Sequence, residues 1–230
     1  MLKRSIIAGA VLTFAMLTLA IPASATLLPP GTPSFPGQAA DPFLTAPSGA
    51  QVGSIGPTAV ANGTLALTYM ERVYLDGPNL ACPAGSCLTF LIDVSNTGTD
   101  TINRITTKSF AGYLVDAGYL AIAAGATHPT TDDRSADGSV IGFQNFVVPF
   151  AHGLATQTLV IQTNAKTFDS FGTLNFSNGA TISTAGLQPT PLPEPSSLLL
   201  LGSGLVGLVY SQARRRRYGV GEEGTAIPLA

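Results

Sequence analysis

Two cysteines, two histidines and a scatter of carboxylates are the side chains of the central region that could carry chemistry. Cys82 and Cys87 bracket Pro83-Ala84-Gly85-Ser86. Zinc asks for about four nitrogen, sulfur or oxygen ligands, and His128 and His152 lie far along the chain, so no metal site is expected. A disulfide is the natural reading if the chain reaches an oxidising compartment. So short a loop stabilises the fold by about 2 kcal/mol. The acidic run Asp132-Asp133-Arg134-Ser135-Ala136-Asp137-Gly138 invites calcium, yet Arg134 and Ala136 stand where an EF-hand order needs oxygen ligands. A solvated turn is expected there. Glu71 with Asp93 or Asp116 could form a glycoside-cleaving pair, which only their separation in space decides. No Gly-x-Ser-x-Gly elbow occurs in the body, and no Ser or Cys nucleophile is marked out beside either histidine. Tyr69, Tyr74, Tyr113 and Tyr119 offer stacking faces for a sugar or half-buried strand positions. The expectation is a protein without catalytic residues or cofactor.

The two ends speak more clearly. Lys3 and Arg4 precede an apolar run from Ile6 to Ile21, followed by Pro22 and then Ala23-Ser24-Ala25. A basic start, an apolar stretch and a small-x-small site describe a secretory signal over residues 1–25, cut after Ala25 with Ala23 as the second small residue. At the other end, Pro193-Glu194-Pro195 is followed by Ser196-Ser197, an apolar run from Leu198 to Tyr210, and Arg214-Arg215-Arg216-Arg217. The prolines fix φ and remove donors, which presents Glu194 on an extended arm. A helix over 196–213 has 18 residues, about 27 Å long, and a bilayer core is about 30 Å thick. It spans only marginally, and Gly202, Gly204 and Gly207 weaken it. The four arginines act as a stop-transfer on the cytoplasmic side. This is the shape of a temporary hold.

That order of proline–acid–proline, apolar helix and arginine cluster resembles the PEP-CTERM sorting signal of Gram-negative bacteria. The resemblance covers about 25 residues. It implies that an exosortase recognises Pro193, Glu194 and Pro195, with the export machinery and, transiently, the inner membrane as the other partners. It further implies a periplasmic body that passes to the cell surface or extracellular matrix, with a structural or adhesive role among biofilm exopolysaccharide. A secreted glycan-binding module is the alternative, and a secreted hydrolase a further one. The tail beyond the arginines, Tyr218 to Ala230, is longer than such signals usually carry.

Between residues 26 and 195 stand five basic and eleven acidic side chains, a net charge near −6. Nucleic acid, which needs a basic footprint, is excluded as a partner. Residues 26–61 are rich in Pro, Gly, Ser and Ala and read as a loose arm. From 62 to 186 the pattern is short β-type runs broken by turns. Leu65, Leu67 and Tyr69 alternate along one run; Leu88, Phe90, Ile92 and Val94 alternate along the next. Asn96 to Thr99 is a turn. Further strands are expected within Thr101–Thr107, Phe110–Leu120, Val140–Phe150 and Thr156–Thr163, with Thr127–Gly138 as a polar loop. A closing hairpin with the loop Ser177-Asn178-Gly179 sets Leu174 opposite Ile182 and Phe176 opposite Ala180. Thr184 to Leu192, and in the domain division the segment 187–195, is read as linker, and 214–230 as the basic stop and cytoplasmic tail. Some eight short strands predict one antiparallel β-sandwich of Ig or jelly-roll type.

Overall fold

Burial alternates residue by residue along Leu65–Asp76 and Arg104–Thr107, whereas Cys87–Asn96, Val115–Leu120 and Thr158–Thr163 are buried at nearly every position. The computed structural model describes residues 26–34, 37–43, 46–121, 126–190 and 201–208. The chain divides into two units, 1–190 and 191–230. In the first, twelve strands occur in the order β1 (Gln38–Ala39), β2 (Asp41–Phe43), β3 (Ala50–Asn62), β4 (Leu65–Asp76), β5 (Cys87–Asn96), β6 (Arg104–Thr107), β7 (Val115–Leu120), β8 (Pro129–Arg134), β9 (Ile141–Phe146), β10 (Thr158–Thr163), β11 (Phe168–Ser177) and β12 (Thr181–Pro189). They form two six-stranded sheets, ordered β1-β8-β9-β6-β11-β12 and β2-β7-β10-β5-β4-β3. All pairings are antiparallel except that of β2 with β7.

One core lies between the sheets. From β4 it takes Leu65, Leu67, Tyr69 and Val73, and from β5 Leu88, Phe90, Ile92 and Val94. The facing sheet supplies Ile105, Ile141, Phe143, Leu174, Phe176 and Ile182. Tyr69 meets Phe176 with ring centroids 5.8 Å apart, and Phe90 meets Phe110 edge-on at 5.4 Å. Each such buried side chain removes apolar surface worth roughly 1.5–3 kcal/mol from water, and this holds the layers together. Leu91, Leu120 and Val160, on the opposite face of the second sheet, form a smaller cluster with Tyr74.

Four expectations are corrected. The stretch read as a loose arm contains β3, thirteen residues long, paired along β4 from Ala50–Leu75 to Asn62–Leu65. Its side chains are too small and too exposed to signal a strand; backbone hydrogen bonds hold it at the sheet edge, where Pro57 is tolerated beside a register shift. The polar loop contains β8, whose Asp132, Asp133 and Arg134 are all buried. The closing hairpin turns through Asn178-Gly179-Ala180, so Phe176 faces Ile182 and Leu174 faces Thr184. Asn178 decides this: its side-chain oxygen accepts the Ala180 amide at 3.1 Å, and its own amide donates to the Ala180 carbonyl. Finally, β12 runs on through Pro189, into the segment expected as linker.

In the second unit, residues 201–208 are helical and exposed. No helix among the described residues is long and apolar enough to cross a membrane. The remainder of the expected span 196–213 lies outside the described residues, as does the expected signal segment 1–25.

Candidate functional site

Pro193, Glu194, Pro195 and Arg214 to Arg217 lie outside the described residues, and so do Ala23 and Ala25. What the structure supplies is the anchorage of the body on the motif's upstream side. As an edge strand, β12 has one row of backbone groups turned away from its partner β11, and side chains of β3 and β4 occupy that row. Asn62 donates to the Thr181 carbonyl at 3.2 Å. The Tyr69 hydroxyl donates to the Ala185 carbonyl at 2.8 Å, with the Thr184 hydroxyl 3.0 Å away. The Leu187 amide donates to Glu71 Oε2 at 2.8 Å.

Glu71 is wholly buried, because it occupies an inward position in the file of Tyr69 and Val73. Burial pushes its carboxyl up to about 8, partly opposed by the Leu187 hydrogen bond. It is therefore largely protonated at neutral pH, and Oε1 has no partner among the described residues. Opposite Leu187, a register shift between Asp169 and Gly172 bulges β11 and leaves Phe171 85% exposed.

Beyond β12, the Thr190 amide donates to the Thr167 carbonyl at 3.0 Å. The Tyr113 hydroxyl donates to the Thr190 carbonyl at 2.5 Å. Burial raises the Tyr113 phenol above its ordinary range, so it remains a donor. The same residue ties down the other end of the body. Arg134 donates to the Tyr113, Phe110, Leu28 and Gly138 carbonyls at 2.8–3.0 Å. The Leu28 amide in turn donates to the Val115 carbonyl at 2.8 Å. An apolar cavity of about 330 Å³ adjoins this knot, between Leu28, Tyr113, Leu114, Val115 and Arg134. Thus the first and last anchored segments of the body meet at Tyr113, which the sequence marked only as a stacking or core aromatic.

The other candidates are kept apart. Glu71 points inward, whereas Asp93 pairs with Met70, a position of opposite facing on β4. Asp93 forms an ion pair with Arg72 and accepts from Thr158. Asp116 pairs across to Gln162 and onward to Thr89, again on the outer face. Neither carboxylate shares a face with Glu71, and no glycoside-cleaving pair forms from them. In the acidic run, Asp133 pairs with Arg104 at 2.5 Å, while Asp132, one residue earlier, faces the other way. Asp137 is occupied by Ser135 and Ser139, which draw its carboxyl down to about 2. No group of metal-ligating side chains occurs among the described residues. His128 stacks on Tyr119 at 4.2 Å, and His152 contacts the Gly98 carbonyl. Tyr74 reaches Gln51. Cys82 and Cys87 form a disulfide with Cα atoms 6.2 Å apart. Lys166 lies over it, with Nζ 3.0 Å from Cys87 Sγ and bonded to the Gly85 and Ser86 carbonyls.

Residues 191–217 match the family model of the PEP-CTERM protein-sorting motif. The match takes in Pro193, Glu194, Pro195 and all four arginines. No curated protein and no solved structure matches the chain. The motif marks an exported protein that an exosortase processes, at the cell envelope or surface.

Proposed function

We propose that residues 26–190 form the cargo, a non-catalytic body released at the cell surface and incorporated there into extracellular polysaccharide as a structural or adhesive component. In this reading the helix following Pro193-Glu194-Pro195 holds the precursor in the inner membrane until the exosortase cuts near the motif. The observation that carries the reading is the sorting motif at 191–217, at the opposite end of the chain from a signal-type N-terminus. The disulfide supports an oxidising destination.

Mass spectrometry of the protein recovered from culture fluid tests the reading by reporting both termini. The expected product begins near Thr26 and ends near residue 193. Glu194→Ala is expected to leave an uncut precursor in the membrane fraction. An unchanged mature product from that variant overturns the proposal, and so does full-length chain in the cytosol.

A further inference from the structure

The anchorage of the body continues to Thr190, and only Pro191 and Leu192 separate it from the Pro-Glu-Pro segment. Three extended residues reach at most about 11 Å. A single helix with its side chains is already about 10–12 Å across. A membrane peptidase that grips an extended segment on both sides of its cut therefore has almost no clearance while Thr190 stays docked. With the cut near residue 193, the first three upstream positions are Pro193, Leu192 and Pro191, and the next is Thr190, which is still docked.

Resting on the function proposed above, we propose that the end of β12 is a latch on processing: Thr190 must leave Tyr113 and Thr167, and the strand must peel back toward Leu187, before the exosortase can seat the motif. The bonds present suit that role. At Thr190 they are few, one from the Tyr113 hydroxyl and one to the Thr167 carbonyl. Three residues earlier the Leu187 amide is held by a buried carboxyl, and its side chain is in the core. Opening thus has a natural limit at Leu187, so local fraying exposes the upstream segment without unfolding the sheet. The Tyr113 hydroxyl is the removable part. Losing one hydrogen bond of about 1 kcal/mol shifts the opening equilibrium about fivefold.

The test follows conversion of full-length precursor to mature protein over time in exosortase-containing host membranes. Tyr113→Phe is expected to speed conversion severalfold. A flexible spacer of about six Gly and Ser residues between Thr190 and Pro191 leaves every bond of the body in place and supplies the missing clearance. It is expected to speed conversion at least as much. Combining the two should add nothing to the spacer alone, because the latch no longer matters once clearance exists. A spacer that leaves the rate unchanged or slows it overturns the latch while native conversion still supports the proposed function. A native precursor that is never cut sinks both.

Discussion

Glu71 Oε2 accepts the Leu187 amide at 2.8 Å, so a buried carboxyl of one sheet holds the last strand of the other. Burial raises that carboxyl to about 8, from about 4.5 when unfolded. Between those values the folded chain binds more protons than the unfolded one, and stability falls as pH rises through the window. The effect is complete below about 4.5 and lost above about 8, on the order of a few kcal/mol in all. Glu71→Gln keeps an acceptor for Leu187 but does not ionise. Urea melts at about pH 5 and about pH 9 should show the variant gaining on the native protein as pH rises. A constant difference between the two proteins contradicts a buried, protonated Glu71.

Arg134 spends its guanidinium on backbone rather than on an acid. Its four carbonyl partners, on Leu28, Phe110, Tyr113 and Gly138, all lie in segments outside the regular ladder. Arg134→Lys keeps a positive charge but replaces the fixed fork with a point donor, so at least two buried carbonyls lose their partner. A loss of about 2–4 kcal/mol is expected, with hydrogen exchange fastest at the Leu28 and Gly31 amides. These donate to Val115 and Ser135 beside the arginine. Protection that drops evenly over the whole body instead would assign Arg134 a general role and remove its specific tie to the N-terminal segment.

Why Arg134 was hidden and β5 was plain has a physical explanation. Strand β5 announces itself because Leu88, Phe90, Ile92 and Val94 are large, apolar and regularly spaced. The same logic made Leu65, Leu67 and Tyr69 legible. β8 carries the opposite signal: its buried residues are charged, and their burial rests on partners distant in sequence, such as Arg104 for Asp133 and Leu28 for Arg134. β3 has almost nothing to bury, so only its ladder with β4 defines it. The closing hairpin was misplaced by one loop residue because both registers leave Leu174, Phe176 and Ile182 on one face, and facing cannot choose between them. The sorting motif was legible because it is a local order of residue types that needs no fold to be read. Tyr113 was not, since its role depends on Arg134 and Thr190 arriving at the same place.

Gly98 sits in the turn after β5, where its amide donates to the Ala66 carbonyl at 2.7 Å. A Cβ there would lie 2.3 Å from the Ala66 nitrogen and 2.4 Å from the Thr64 carbonyl oxygen. Both are backbone atoms, one in the β3–β4 connection and one at the start of β4, and cannot swing away as a side-chain tip could. Gly98→Ala is expected to destabilise by about 2–4 kcal/mol, read as a lower urea midpoint at unchanged slope. By contrast, Gly63→Ala in the adjoining turn meets no atom within 4 Å, although its φ of +63° strains any other residue. That variant should lose about 1 kcal/mol, so equal losses at the two positions would rule out the steric account.

The loop between β4 and β5 is closed twice, once by the Cys82–Cys87 disulfide and once by Lys166, whose ammonium holds the Gly85 and Ser86 carbonyls at 3.0 and 2.9 Å. Each closure limits what the loss of the other can release. Replacing both cysteines by serine should therefore cost no more than the chain-entropy figure of about 2 kcal/mol, because Lys166 still gathers the loop. Lys166→Met alone should cost about 1 kcal/mol, since the disulfide keeps the two carbonyls in place. With all three changes together the loop has neither tie, and the loss should exceed the sum by about 0.5–1 kcal/mol. Urea melts of the four proteins complete the cycle. Simple additivity would mean that the lysine merely rests on the loop and shares no closure with the disulfide.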